Sequence, residues 1–175
     1  MTAVGSTYTL SAHEQGLLGS LVDAKGVILG RLTHHDLRAS EASAEAIYLR
    51  RSDDSWLELS PKWVSDAVGN RISALRVSEA SPVVDECAEI KICDAWIREI
   101  SILSAAHHYS EIEVDSGLEL VSHTHEVASI SIMDPRDHSE KYLLVQGPNP
   151  QWMLGGLDVT KRSLELSIKS SNSTH

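Results

Sequence analysis

Short apolar or alternating runs, cut apart by clusters of Gly, Asn, Asp and Ser, fill most of this chain and constrain its fold more than any other feature. Residues 27–32, 46–50, 56–59 and 72–77 are such runs, with a shorter one at Leu21-Val22. Gly26, Gly30, Ser52-Asp53-Asp54 and Gly69-Asn70 separate them. Runs of this length between turn formers predict β-hairpins. Further on, residues 112–114, 118–120 and 130–132 alternate with polar positions, as do Leu164, Leu166 and Ile168. That alternation predicts strands with one buried and one wet face. Asp134-Pro135-Arg136-Asp137 and Gly147-Pro148-Asn149-Pro150 read as turns. Phe is absent, so Leu, Ile and Val must fill the core, and such side chains suit a pleated, half-buried surface.

The order of landmarks recurs along the chain. Val22-Asp23, Tyr48-Leu49, Trp56-Leu57, Val64 and a closing run from Arg71 are followed, at a nearly constant offset, by Val114-Asp115, Tyr142-Leu143, Trp152-Met153, Val159 and a run from Arg162. This predicts two degenerate copies of one small unit. Between them, Ser81 can cap a helix with Pro82 at its first position. Val83, Cys87, Ile90, Cys93, Ile97, Ile100 and Leu103 then recur every three or four residues, the stripe of an amphipathic helix; residues 89–92 alternate and also fit a strand. The expected organisation is a first β unit over residues 1–80, a connecting helix over 81–108, a second β unit over 109–169 and a flexible polar tail over 170–175. The expected fold is mainly β with one connecting helix, as two tandem small barrel-like units or one barrel built from two repeats. A stripe that long must be buried against the strands or another subunit, which predicts a homodimer or a protein partner.

One stretch carries a family likeness. Gly19-Ser20-Leu21-Val22-Asp23-Ala24-Lys25-Gly26-Val27-Ile28-Leu29-Gly30-Arg31-Leu32 resembles the opening signature of PRC-barrel domains: a Gly, a Val-Asp, a turn Gly and another Gly four residues on. Leu57-Glu58-Leu59-Ser60-Pro61-Lys62-Trp63-Val64 resembles their later strand entering a Pro, an aromatic and a Val. The likeness covers residues 16–77. Glycines at such places allow positive-φ turns and sharp strand bends. The second copy keeps Val114-Asp115 and Gly117 but neither the Gly pair nor the Pro. The resemblance implies a small β-barrel and a non-catalytic binding or assembly role.

Charge and cysteine usage narrow the function classes. The net charge is −10, from 25 acidic and 15 basic side chains, a field that repels phosphate backbones and anionic lipid. Arg50-Arg51 and Lys161-Arg162 are isolated basic pairs, so no nucleic-acid partner is expected. No apolar run approaches the roughly 18 residues of a membrane span, and residues 1–10 lack the features of a secretory leader; membrane insertion is not expected. Cys87 and Cys93 lie six apart, outside metal or redox spacing, and read as reduced thiols of a soluble cytoplasmic protein. There is no Gly-x-Ser-x-Gly elbow and no phosphate-binding Gly loop.

The remaining candidates are histidines and tryptophans. His34-His35 precedes Asp36, and His123-Thr124-His125 precedes Glu126. On a strand His123 and His125 share a face, so the four histidines are candidate ligands for Zn or another divalent metal, with Asp36 or Glu126 beside them. The plainer reading is solvent-facing strand histidines. Gly117 and the His-x-His pair also match the opening of a cupin motif, but the Glu expected at 128–131 is missing. His107-His108 would cap the dipole at the helix end. Trp56 and Trp152 are matched between the copies and read as packing residues. Trp63 and Trp96 are unmatched and are candidate partner-binding anchors, with core burial the plainer role. Together these features predict a non-enzymatic binding or assembly adaptor that needs no cofactor. The alternatives are a metal-binding enzyme or sensor using the paired histidines, or a structural subunit of a larger assembly.

Overall fold

The computed structural model describes residues 7–36, 41–65, 69, 71–82, 84–90, 96–107, 112–132, 143–146 and 158–164. Their fold is mainly β, a curled antiparallel sheet with one α-helix. The elements are β1 (Thr7–Tyr8), α1 (Ala12–Gly19), β2 (Ile28–Asp36), β3 (Glu41–Arg50), β4 (Trp56–Ser65), β5 (Arg71–Ala80), a 3-10 turn (Val84–Glu86), β6 (Ala88–Ile90), β7 (Ile97–His107), β8 (Ile112–Ser122), β9 (Val127–Ile132), β10 (Leu143–Gln146) and β11 (Asp158–Ser163).

The sheet runs in the order β11-β7-β8-β9-β10-β3-β2-β6. β3 is one of its branch points. Residues 41–44 of β3 pair with β10, and residues 47–50 pair with β4, while β2 takes the other edge. The β4–β5 hairpin therefore leaves the sheet plane, and β5 lies over β8 and β9. One buried cluster fills the concave side, with Leu18, Leu21, Ile28, Ile47, Leu57, Leu59 and Leu75 meeting Ile97, Ile102, Leu118, Ile130 and Val145. Both halves of the chain thus share one sheet and one core.

The strands repeat an arrangement. β2-β3-β4-β5 is an antiparallel meander whose next strand, β6, returns to β2. β7-β8-β9-β10 is another, and β11 returns to β7. Corresponding strands begin at Ile28 and Ile97, Glu41 and Ile112, Trp56 and Val127, Arg71 and Leu143, Ala88 and Asp158, a nearly constant offset. That offset is shorter than the one expected from the landmarks, which these strands do not keep. Val22-Asp23 lies in the turn after α1, whereas Val114-Asp115 lies inside β8. Tyr142, Trp152, Met153, Leu166, Ile168, Cys93, the turns at 134–137 and 147–150 and the tail at 170–175 lie outside the described residues.

The helix expected over 81–108 is not formed where this region is described. Residues 88–90 and 97–107 are strands, and Ile90, Ile97, Ile100 and Leu103 are core residues. The physical reason is a β-bulge. β7 shifts register against β8 between Ile97 and Glu99, so Arg98 and Glu99 both face solvent and Ile97 and Ile100 both face inward. A bulge inserts one residue into a period of two and so imitates helical spacing. With those residues buried in this chain's own core, the stripe gives no argument for a homodimer.

The helix that does form, α1, was signalled by a capping box. Ser11 Oγ accepts from Glu14 N at 3.1 Å, and Glu14 Oε1 accepts from Ser11 N at 3.1 Å; such reciprocal bonds satisfy two N–H groups the helix leaves unpaired. Glu14 Oε2 also accepts from Val77 N at 2.9 Å, tying the helix to β5. Leu21 and Val22, expected as a strand, lie in the turn after α1. In that turn the left-handed residue is Asp23 (φ 67°), not Gly26.

Candidate functional site

Two tight turns and one backbone bridge meet at one end of the sheet. Both turns are closed by the same pair of backbone hydrogen bonds over five residues, 51–55 and 122–126. In the β3–β4 turn, Arg51 N donates to Ser55 O (2.7 Å) and Asp54 N to Arg51 O (3.1 Å), with Asp54 at φ 68°. In the β8–β9 turn, Ser122 N donates to Glu126 O (2.9 Å) and His125 N to Ser122 O (3.0 Å), with His125 at φ 66°. Arg51 and Ser122, Asp54 and His125, Ser55 and Glu126 are counterparts, each pair separated by the same interval of sequence. Side chains that accept from the backbone support both turns: Asp53 from Ser55 N at 3.0 Å, and Ser122 Oγ from Glu126 N at 3.1 Å. Hydrogen bonds from the Ser55 hydroxyl, then from its backbone N–H, hold the Asp53 carboxyl below its usual pKa.

Between the turns, Lys25 and Trp96 form an antiparallel bridge. Ile97 N donates to Ala24 O at 3.0 Å and Asp23 N to Ile97 O at 2.8 Å. Lys25 and Trp96 are separated by that same interval, so they too are counterparts. Both hairpins are tied to the bridge or beside it: Arg50 N, at the end of β3, donates to Val27 O, two residues past Lys25, at 3.2 Å, and His123 N to Trp96 O at 2.9 Å.

The first turn and the bridge enclose an open cleft of about 180 Å³, lined by Lys25, Arg50, Arg51, Ser52, Asp54 and Trp96. Trp96 is 50% exposed and Trp63 40%, the exposed large hydrophobic residues among those described. Lys25 Nζ sits 5.8 Å from the centre of the Trp96 ring, within the range of a cation–π contact. Arg50 Nη2 meets Asp54 Oδ1 at 2.5 Å. Arg51 Nε donates to Ser55 Oγ at 2.6 Å and its Nη2 to Glu79 Oε1 at 3.1 Å. This arrangement presents a flat aromatic surface, a cationic rim and a backbone that the paired turns keep in place.

The sequence candidates are distributed unevenly. Trp96 stands at the cleft, while Trp63 lies on β4 opposite Ser73 of β5. His123 and His125 lie in the β8–β9 turn rather than on a strand, so the shared face expected of them does not exist. His123 Nε2 lies 3.2 Å from Asp23 Oδ1. His34 and His35, described by backbone alone, pair with Ser43 and Ala42 toward the far end of β2. Six or seven strand residues separate them from Ile28, about 20 Å at the usual rise, so the backbone does not bring the two histidine pairs together. Among the described residues, no group of three or more His, Cys, Asp or Glu is placed to hold a metal ion. His107, expected at a helix end, closes β7. Trp56 is partly buried against Leu29, Ala46 and Tyr48 on the sheet's outer side.

Lys25, Asp23, Arg50 and Arg51 were not candidates in the sequence. Arg50-Arg51 reads there as an isolated basic pair, and only the hairpin brings it beside Lys25 and Trp96. Cys87 is partly buried, and that burial pushes its thiol pKa up, which suits a packing thiol better than a nucleophile. Among the described residues no helix is long and apolar enough to cross a membrane. Comparison with family models, curated proteins and solved structures finds no match for this chain.

Proposed function

We propose that this protein is a non-enzymatic binding or assembly module, a single barrel-like sheet built from two five-strand repeats, whose partner contact is the end carrying Trp96. The observation that carries this reading is Trp96 itself: a half-exposed indole on a hydrogen-bonded bridge, beside a cleft and between two braced turns. An exposed Trp on rigid backbone loses little entropy on binding and is the residue type that most often anchors an interface. The repeat is supported by the nearly constant offset between corresponding strands and by turns whose hydrogen bonds and positive-φ residues match place for place. The likeness of residues 19–32 to the PRC-barrel signature speaks for the same class of protein. Cytoplasmic action follows from the reduced-thiol reading of the cysteines.

The test is affinity capture with the intact chain as bait, followed by reconstitution of the captured complex from purified components. Trp96→Ala is expected to weaken the reconstituted complex by about 10-fold or more, with its thermal midpoint unchanged. A complex that forms equally well with the Trp96→Ala and Trp63→Ala double variant overturns the assignment.

A further inference from the structure

Resting on the reading of the Trp96 end as a partner surface, we infer that its cleft takes an acidic peptide segment, a carboxylate on Lys25 and Arg50 with a neighbouring apolar side chain on Trp96. The lining carries three cations, Lys25, Arg50 and Arg51, against one carboxylate, Asp54. Their free capacity differs. The Arg51 side chain is only 16% exposed and is taken up by Ser55 and Glu79, so it braces the turn. Arg50 is 40% exposed and shares one contact with Asp54, itself 75% exposed; a guanidinium has five N–H donors, so several remain. Lys25 has no carboxylate within ion-pair distance among the described residues, and its ammonium is set against the Trp96 ring. That contact positions the charge while leaving its N–H donors to a ligand.

The counterpart positions across the bridge show that this chemistry belongs to one side alone. Where the first turn has Arg50, Arg51, Ser52 and Asp54, the second has Val121, Ser122, His123 and His125. The same backbone frame thus carries guanidinium groups on the first side only. A nucleic-acid strand would bring many phosphates against a chain of net charge −10, whereas a peptide needs one or two carboxylates at the cleft. The same net charge slows approach of an acidic segment, so affinity must come from contacts inside the cleft rather than from steering.

The test is a titration of the isotope-labelled full-length chain with a capped peptide alternating Glu and Leu, followed by its Gln-and-Leu analogue, read by the Trp96 indole N–H and the amides of residues 50–54. The acidic peptide is expected to bind at least about fivefold more tightly than the Gln analogue. Lys25→Ala and Trp96→Ala are each expected to weaken it by about fivefold or more, and His125→Ala to leave it unchanged. Equal binding of the Gln analogue, no binding of either peptide, or the same shifts with a single-stranded oligonucleotide overturns the inference. Retained amide dispersion in each variant separates loss of binding from loss of fold. A captured natural partner that is lost with Trp96→Ala but kept with Lys25→Glu sinks the acidic segment while leaving the binding-module reading in place.

Discussion

β3 and β8 occupy matching places in their halves, yet the slot beside the start of each is filled differently. Along β3, residues 41–44 are paired by β10, and Ala44 is fully buried there. The matching place on β8 is met by the two residues of β1, in parallel. The counterpart of Ala44 on β8 is Asp115, 1% exposed. Its carboxylate accepts from Leu10 N at 2.7 Å and from both terminal nitrogens of Arg162 at 2.6 Å. One half completes its slot with four backbone pairs and an apolar side chain. The other uses a short segment held by the buried Asp115 carboxylate, which also takes a bidentate contact from the partly exposed Arg162. A single backbone frame accepts either solution as long as the N–H groups and the charge are satisfied.

That contrast is open to direct attack. Asp115→Ala removes the acceptor of Leu10 N–H and the bidentate contact made by Arg162. Stability is expected to fall by about 2–3 kcal/mol, chiefly from the unsatisfied Leu10 N–H and the lost charge-assisted bonds, read from chemical denaturation. A loss under about 1 kcal/mol would show that water takes over both roles, and the two slots would then be equivalent in energy as well as in place.

Gly117 on β8 and Ala46 on β3 form a second pair of counterparts. A Cβ added at Gly117 would lie 2.6 Å from Ile130 O and 2.8 Å from Ser131 Cβ. Gly117→Ala is therefore expected to cost about 1–3 kcal/mol by forcing β9 outward. The reverse change in the first half, Ala46→Gly, is expected to cost only about 0.5–1 kcal/mol. No loss, or a gain, for Gly117→Ala in thermal melts would mean that β8 lies no closer to β9 than β3 does to β4, contrary to the geometry.

The turns sharpen the likeness instead of the difference. Asp54→Val and His125→Val place a branched side chain at φ 68° and φ 66°, each expected to destabilise by about 1–2 kcal/mol. The two losses should agree closely; a wide gap would separate the turns despite their matching hydrogen bonds. Acid separates them further. The Asp53 carboxyl titrates below its usual value, so its support of the first turn is present above the ordinary Asp pKa, about 3.9, and fades as pH falls through the lower folded value. Asp53→Asn should therefore narrow the stability difference between neutral and strongly acid solution, a change that a melt series across that window detects.

The smallest effect belongs to His123. Its contact with Asp23 is between side chains 50% and 77% exposed, so His123→Ala is expected to change stability by less than about 1 kcal/mol. A larger loss would show that the backbone bond from His123 N to Trp96 O depends on the side chain.

Much of the strand content was legible because turn formers and period-two alternation are local signals. The runs over residues 46–50, 56–59, 72–77 and 118–120 fall in strands, as does that over 27–32 from Ile28 on, and Ser11-Ala12-His13-Glu14 carried an unread helix start. Residues 97–103 misled because a bulge sets apolar side chains three apart, a spacing that only the facing strand reveals as β. The cleft was illegible for a different reason. Lys25, Arg50 and Trp96 are far apart in sequence and meet through a single backbone bridge and one hairpin, neither of which leaves a motif.

Local chemistry therefore settles that this chain forms short antiparallel strands, where several of them turn, and that its long-range field is acidic. Register, the branching of β3, the pairing of Lys25 with Trp96 and the burial of Asp115 arise only when distant strands meet. They depend on which backbone edges remain unpaired and on which charges find a partner inside, and both are properties of the assembled sheet.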